Sequence, residues 1–295
     1  MPRISVIHTT SYTHNSPAGA AWQALHLQPR NEAVQHCDAF ELQVTPHPRD
    51  LTSRFDIFGN KQHLFTLREP HEELSIVSRS VVSREETILP MAGLTPAIGD
   101  IPDLVARAVT EVDFSLEQFL HASPMIPLLQ EARSLGDELA GDLGPGTSVM
   151  DWLATAGSRF HRAFAFDREA TWVSTPLTEV IADRRGVCQD FAHLFISCLR
   201  QHRLPAAYVS GYLLTRPPPG QQRLVGADAS HAWVSVYVPG TGWVDYDPTN
   251  ACFVGAGHIV VARGRDYSDV SPVKGLFSGG GGHTLDTGVT VDGID

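Results

Sequence analysis

The strongest constraint in this chain is a change of hydrophobic period partway along it. From Cys188 to His202, Phe191, Phe195, Cys198, Leu199 and His202 recur at helical spacing until Pro205 ends the pattern. Three runs, AAYVSGYLL, SHAWVSVYVP and GWVDYDP, then read as strands, the last two joined by a Pro239-Gly240-Thr241-Gly242 turn. A buried helix followed by an antiparallel sheet predicts an α+β fold. Ahead of that helix, IPDLVARAV, LLQEARSLGDELAGDL and VMDWLATAGSRFHRAF keep helical spacing, as Leu128, Leu129, Ala132, Leu135 and Leu139 illustrate.

Residues 3–84 have another texture. RISVIHTTSYT, AWQALHLQP, AFELQVTPHP and LSIVSRSVVS carry β-branched and aromatic residues in partial alternation between turn residues, predicting a small antiparallel β domain. Within it FDIFGNKQHLFTL reads as a hairpin whose turn places Gly59 at positive φ, with Asn60 a candidate for the same. Residues 85–99 dissolve into prolines and glycines and read as a connection between domains. The Ser278–Gly282 run is expected to be a flexible joint, and HTLDTGVTV after it a last strand that could join either sheet.

Composition narrows the function classes. With 295 residues there is room for a sizeable core, and a net charge of −11 repels phosphate backbones and anionic headgroups, so neither nucleic acid nor membrane is an expected partner. No apolar run reaches the length of a signal peptide or a membrane span, which places the expected location in the cytoplasm. Cys37, Cys188, Cys198 and Cys252 show no CxxC or zinc spacing, and the histidines show no HExxH, so no metal, cofactor or disulfide framework is expected.

Each cysteine must then be packing or chemistry. Cys188 follows Gly186-Val187 at the start of the apolar helix, where unpaired N–H groups and the positive end of the helix dipole favour the ionised, reactive form of a thiol. A cysteine more commonly just packs, so the reading turns on finding a base. His231 opens a strand whose Ala232, Val234, Val236 and Val238 bury one face, leaving the imidazole on the other. The next strand carries Asp245 and Asp247 two residues apart on a shared face, and alternation cannot choose between them as the group that orients His231. His193 lies some 140° around the helix from Cys188, too far to share its proton, and is expected to anchor the helix. His202 is disfavoured because it lies turns away from the helix start.

The strings GVCQDFAH, SHAWVSVYVPGTGWVDYDPTN and HIVVARGRDYSDVSPVKG resemble the bacterial transglutaminase-like superfamily, whose members carry a papain-related Cys-His-Asp fold. The first ninety or so residues resemble the β-sandwich that precedes that core in many bacterial members. The resemblance implies a β-sandwich over 1–95, a linker over 96–115, a transglutaminase-like core over 116–275, and a glycine-rich joint with a terminal strand over 276–295. It further implies Cys188 as nucleophile, His231 as general base and acid, and Asp247, in YDPTN, as the residue orienting His231; the preference for Asp247 over Asp245 rests on the likeness alone.

Such a site attacks an acyl carbon and passes through a thioester that water or an amine resolves. The expected activity is a thiol hydrolase of the cysteine-peptidase or amidase type acting on amide or isopeptide bonds of a protein or peptide. The alternatives are a protein-glutamine acyltransferase and a non-catalytic binding module. The Cys188 backbone N–H is one expected oxyanion donor. Trp172 is a candidate for the second, set against the favoured reading of a core aromatic, and Asp245 stays a candidate at the site. The Arg216–Gln222 segment is a candidate lid over it.

Overall fold

The computed structural model describes residues 2–111, 113–215 and 230–294. The Arg216–Gln222 segment lies outside them. In chain order the elements are β1 (Arg3–Leu25), β2 (Gln35–Thr45), β3 (Asp50–Phe55), β4 (Lys61–Leu67), β5 (His71–Arg84), α1 (Ile101–Glu111), α2 (Gln130–Ala140), α3 (Val149–Ala163), β6 (Ala165–Phe166), α4 (Leu177–Asp183), β7 (Arg185–Gly186), α5 (Cys188–Gln201), β8 (Ala206–Leu213), β9 (Ser230–Val238), β10 (Gly242–Asp247), β11 (Cys252–Phe253), β12 (His258–Gly264), α6 (Tyr267–Val270), β13 (Val273–Gly279) and β14 (His283–Ile294). The fold is α+β, with an N-terminal antiparallel sheet ahead of helices packed on a second antiparallel sheet.

The N-terminal sheet is organised by β1, which runs on where the sequence suggests two strands. Its first half pairs with β14 and β5, and its second half with β13 and β4. Between them the pairing with β5 slips from Thr13 to Ala18, because Asn15, Ser16 and Pro17 turn away from the ladder. The Asn15 and Ser16 N–H groups donate instead to Gly282 O at 3.0 Å and Gly280 O at 3.1 Å. The glycine run is therefore a bonded turn rather than a loose joint, and its four residues take φ of 82°, 90°, 62° and 98°, a sequence that only glycine adopts cheaply.

The bend makes two leaves of one sheet. Tyr12, Val44, Leu74 and Ile76 from the first leaf meet Ala21, Leu25, Phe65 and Leu67 from the second in a single buried cluster, the inside of a sandwich. The other end of the first leaf, with Ile4, Val6, Val82, Val289 and Val291, belongs to the main core. So does Ile101 with Val105, Ala108 and Val109 of α1, within the 96–115 stretch expected to link. The terminal strand β14 joins the N-terminal sheet, settling what alternation left open.

The second sheet has the order β11-β10-β9-β8-β12, every pair antiparallel. Helix α5 packs on β8 and β9 and is covered by α2 and α4, so nearly all of it is buried, its polar Asp190, His193, Ser197 and Arg200 included. Tyr246 fixes the facing of β10: its ring stacks on Phe195 of α5 at 5.9 Å and fills the notch left by Gly157 of α3. Asp245 and Asp247 must then point to the opposite face.

Gly211, paired with His231 across the β8–β9 ladder, is required by contact: a Cβ there would overlap the Ile259 carbonyl and the Trp233 indole. Gly211→Ala is expected to cost about 1–3 kcal/mol, the usual penalty of overpacking, read as a lower urea midpoint. An unchanged midpoint would show that the indole has room to move.

Candidate active site

Cys188 is the first residue of α5, half-buried and unpaired. Helix starts leave N–H groups without intrahelical partners, and one is met locally: the Asp190 carboxylate accepts from the Val187 N–H at 2.9 Å. Asp190 also takes the Thr171 hydroxyl at 2.6 Å, which ties the loop before α4 to the first turn of α5. Burial raises the pKa of Asp190, while those two bonds oppose it.

His231 sits near the start of β9 and bonds to two of the expected partners. Its side chain is hydrogen-bonded to Cys188, and its Nε2 lies 2.7 Å from Asp247 Oδ2, which leaves Nδ1 for the sulfur. Burial opposes a charged imidazole here, but the bonds to Asp247 and Cys188 and their charges override it and push His231 up to about 10.

Asp247 ends β10 fully buried and surrounded by donors. Oδ1 accepts from the Thr249 N–H at 2.9 Å and the Asn250 N–H at 3.2 Å, and Oδ2 from the Asn250 side-chain amide at 2.7 Å. His258 adds another, its Nε2 3.2 Å from the same Oδ2. Because the Gly255 N–H donates to His258 Nδ1 at 3.4 Å, the proton of that ring lies on Nε2, which donates to Asp247. Burial would raise the Asp247 pKa, but the bonds from His231 and His258, the His231 charge and the Asn250 amide hold it well below the usual carboxylate range.

The structure thus brings Cys188, His231 and Asp247 together and keeps Asp245 apart from them. Asp245 shares their sheet face but binds the Ser235 hydroxyl, the Trp233 indole N–H at 3.3 Å and Arg263 Nη2 at 2.9 Å. Arg263 in turn reaches Glu32 at 3.1 Å, so Asp245 belongs to a charge network shared with the N-terminal sheet. Trp172 departs from the core reading, since it is 84% exposed. Its loop is fixed through Thr171, through the Trp172 N–H donating to Thr175 Oγ1 at 2.9 Å, and through Gln189 Nε2 donating to Val173 O at 3.2 Å, contacts that hold backbone without burying the indole. His193 is buried and accepts the Tyr267 N–H at 3.1 Å, an anchor for α5 as its helix position implies.

Sequence reasoning missed Asn250 and His258. Asn250 had a signal, lying three residues past Asp247 where an Asx side chain bonds back to a turn. His258 had none, since its partner is eleven residues away across a strand change. His231, Asp247 and His258 also offer ligand atoms within 4.8 Å of one another, a spacing a cation could use. Those atoms are turned on one another in the hydrogen bonds above.

Burial raises the thiols of Cys37 to about 11, Cys198 to about 12 and Cys252 to about 11, with Asp38 adding to the first and Asp247 to the third. Iodoacetamide at neutral pH is therefore expected to label Cys188 first, read by peptide mass spectrometry, and His231→Ala to abolish that preference. Even labelling of all four would show that the imidazole does not activate the sulfur.

Comparisons with known proteins bear on the family and the fold. Residues 4–83 match the family model described as the bacterial transglutaminase-like N-terminal region, and residues 142–248 match that of the transglutaminase-like superfamily. Uncharacterized protein Mb2599c of Mycobacterium bovis is 37% identical over 281 residues, 93% of this chain and 87% of that one. A protein-glutamine gamma-glutamyltransferase of Pseudomonas aeruginosa is 30% identical over 136 residues, 46% of this chain and 20% of that one. The fold matches the crystal structure of a candidate cysteine protease from Cytophaga hutchinsonii with a TM-score of 0.76 at 19% identity, covering 100% of this chain and 91% of that one. Among the described residues, no helix is long and apolar enough to cross a membrane. The chain belongs to the transglutaminase-like superfamily, with a bacterial transglutaminase-like N-terminal region ahead of its core.

Proposed function

We propose that the chain is a thiol hydrolase of the cysteine-peptidase or amidase type that cleaves amide or isopeptide bonds in a protein or peptide. The observation that carries the reading is the unbroken line from Cys188 through His231 to a fully buried Asp247. In this reading the Cys188 thiolate attacks the acyl carbon, and the carbonyl π electrons move to oxygen. The oxyanion is met by N–H groups at the start of α5. The His231 imidazolium gives its proton to the departing amine as the C–N bond breaks, leaving a thioester. The neutral imidazole then takes a proton from water, whose oxygen attacks the thioester, and the thiolate leaves with the acid released. Asp247 stays ionised throughout and holds the ring. Four unpaired cysteines fit a reducing compartment, in this reading the cytoplasm.

Acyl transfer from glutamine to an amine is the second reading. It is favoured by the likeness to the Pseudomonas aeruginosa gamma-glutamyltransferase, and the same three residues would serve it. Peptide release and incorporation of a labelled primary amine, measured side by side on one preparation, separate the two. Release without incorporation is expected, and incorporation alone would reverse the assignment.

Cys188→Ala is expected to abolish both signals with the fold intact by circular dichroism. Asp247→Asn should lower kcat on the order of 10²–10⁴-fold and Asp245→Asn far less; the opposite order would move the orienting role to Asp245. Because His231 is held up to about 10, its proton is present through neutral pH and is lost as pH rises through that value. The rate of the acylation step should then fall on the alkaline side near pH 10, and a fall near the ordinary histidine value would contradict the coupling.

A further inference from the structure

The contacts along the free edge of β12 carry an inference that rests on the triad proposed above. β12 pairs with β8 on one side only. Its other edge is bracketed by two side-chain amides. Gln35 Nε2 donates to Val260 O at 2.8 Å while its Oε1 accepts the Val260 N–H at 2.8 Å, so one amide replaces a strand partner. Asn60 does the same at Arg263, donating at 2.7 Å and accepting at 2.8 Å. Just upstream, Arg84 Nε donates to Gly255 O at 3.2 Å and its Nη1 to Gln35 Oε1 at 2.9 Å. The Ala256 N–H donates to the Glu86 carboxylate at 2.9 Å.

All but the Arg84–Gln35 bond fall on residues 255–263, the segment that presents His258. Its ring is set by the Gly255 N–H on one nitrogen and by Asp247 on the other, with Trp233 edge-on at 5.4 Å. The ring keeps this place only while the Gly255–His258 turn stays where it is, and Arg84 and Glu86 hold that turn from outside. We infer that the N-terminal sheet is a positioning element for the triad: Gln35, Arg84 and Glu86 hold the segment from Gly255 to Val260 so that His258 donates to Asp247 and keeps its Oδ2 turned to His231. Neither these three residues nor His258 needs to touch substrate. They act through the carboxylate.

The groups that face His231 are Cys188 from α5, Asp247 at the end of β10, Asn250 in the turn after it and His258 from β12. A titration of the full-length chain with ¹⁵N-labelled histidine rings reads them without any substrate. In the parent chain His231, held up to about 10 by its bonds to Asp247 and Cys188, is expected to keep its ring proton through neutral pH, and the Gly255 N–H on His258 Nδ1 leaves His258 Nε2 to donate to Asp247. His258→Leu is expected to lower the His231 midpoint by about one unit or more, because Asp247 Oδ2, no longer kept turned to His231, moves off the imidazolium. His258→Gln, whose amide can still donate, should restore most of it.

Gln35→Leu should shift the midpoint in the same direction by less. Glu86→Ala, at an exposed position, should do likewise. A purely structural clamp would lower the thermal midpoint and leave the titration alone. An unmoved or raised His231 midpoint in His258→Leu, or in both Gln35→Leu and Glu86→Ala, overturns the inference. Failure to find acyl chemistry would leave the titration fully readable, so the two ideas fall separately.

Discussion

The structure turns on a carboxylate placed where water cannot reach it. Asp247 is fully buried, and an isolated ion there would be costly enough to take up a proton instead. It stays ionised because two backbone N–H groups, the Asn250 amide, His258 and His231 converge on its two oxygens. The same burial that makes the ion costly strengthens its bond to His231, which is how an imidazole in a desolvated place comes to hold its proton.

The rest of the fold delivers these groups from separate parts of the chain. Helix α5 brings Cys188 and is buried almost throughout, so its start cannot shift without disturbing the core. Its far end is held by Arg200, whose guanidinium donates to the carbonyls of His121, Ala206 and Arg265. Strand β10 faces Asp247 away from the helix because Tyr246 faces toward it. Strand β12 supplies His258, and its open edge is covered by residues of the N-terminal sheet, which also removes an edge that could pair with another chain. The site is thus the meeting point of elements whose order in sequence says little about their order in space.

Asp245 and Asp247 show how far local pattern reaches. Both lie on one face of one strand, and alternation treats them alike. Their surroundings do not: Asp245 faces Arg263, Ser235 and the Trp233 indole, whereas Asp247 faces two imidazoles and a turn. Asn60 makes the same point. The hairpin chemistry of Gly59-Asn60 is real, with Gly59 at φ 75°, but Asn60 does not share the positive φ, because its buried side chain is committed to the backbone of Arg263.

The sequence by itself determined the α+β order, the helix that opens at Cys188, the strand that carries His231, the turn at Gly240 and the unsuitability of His193 as a base. Each follows from a period, a cap or a rotation that a few neighbouring residues set among themselves. Local pattern left the choice of aspartate open and the family likeness named Asp247; only the tertiary structure decided that His258 and Asn250 complete its surroundings, that Trp172 lies in solvent, and that β13 and β14 return to the first strand. Those outcomes depend on which distant groups compete for the same buried hydrogen bonds. That competition is resolved only when the core closes and every polar group inside it must find a partner.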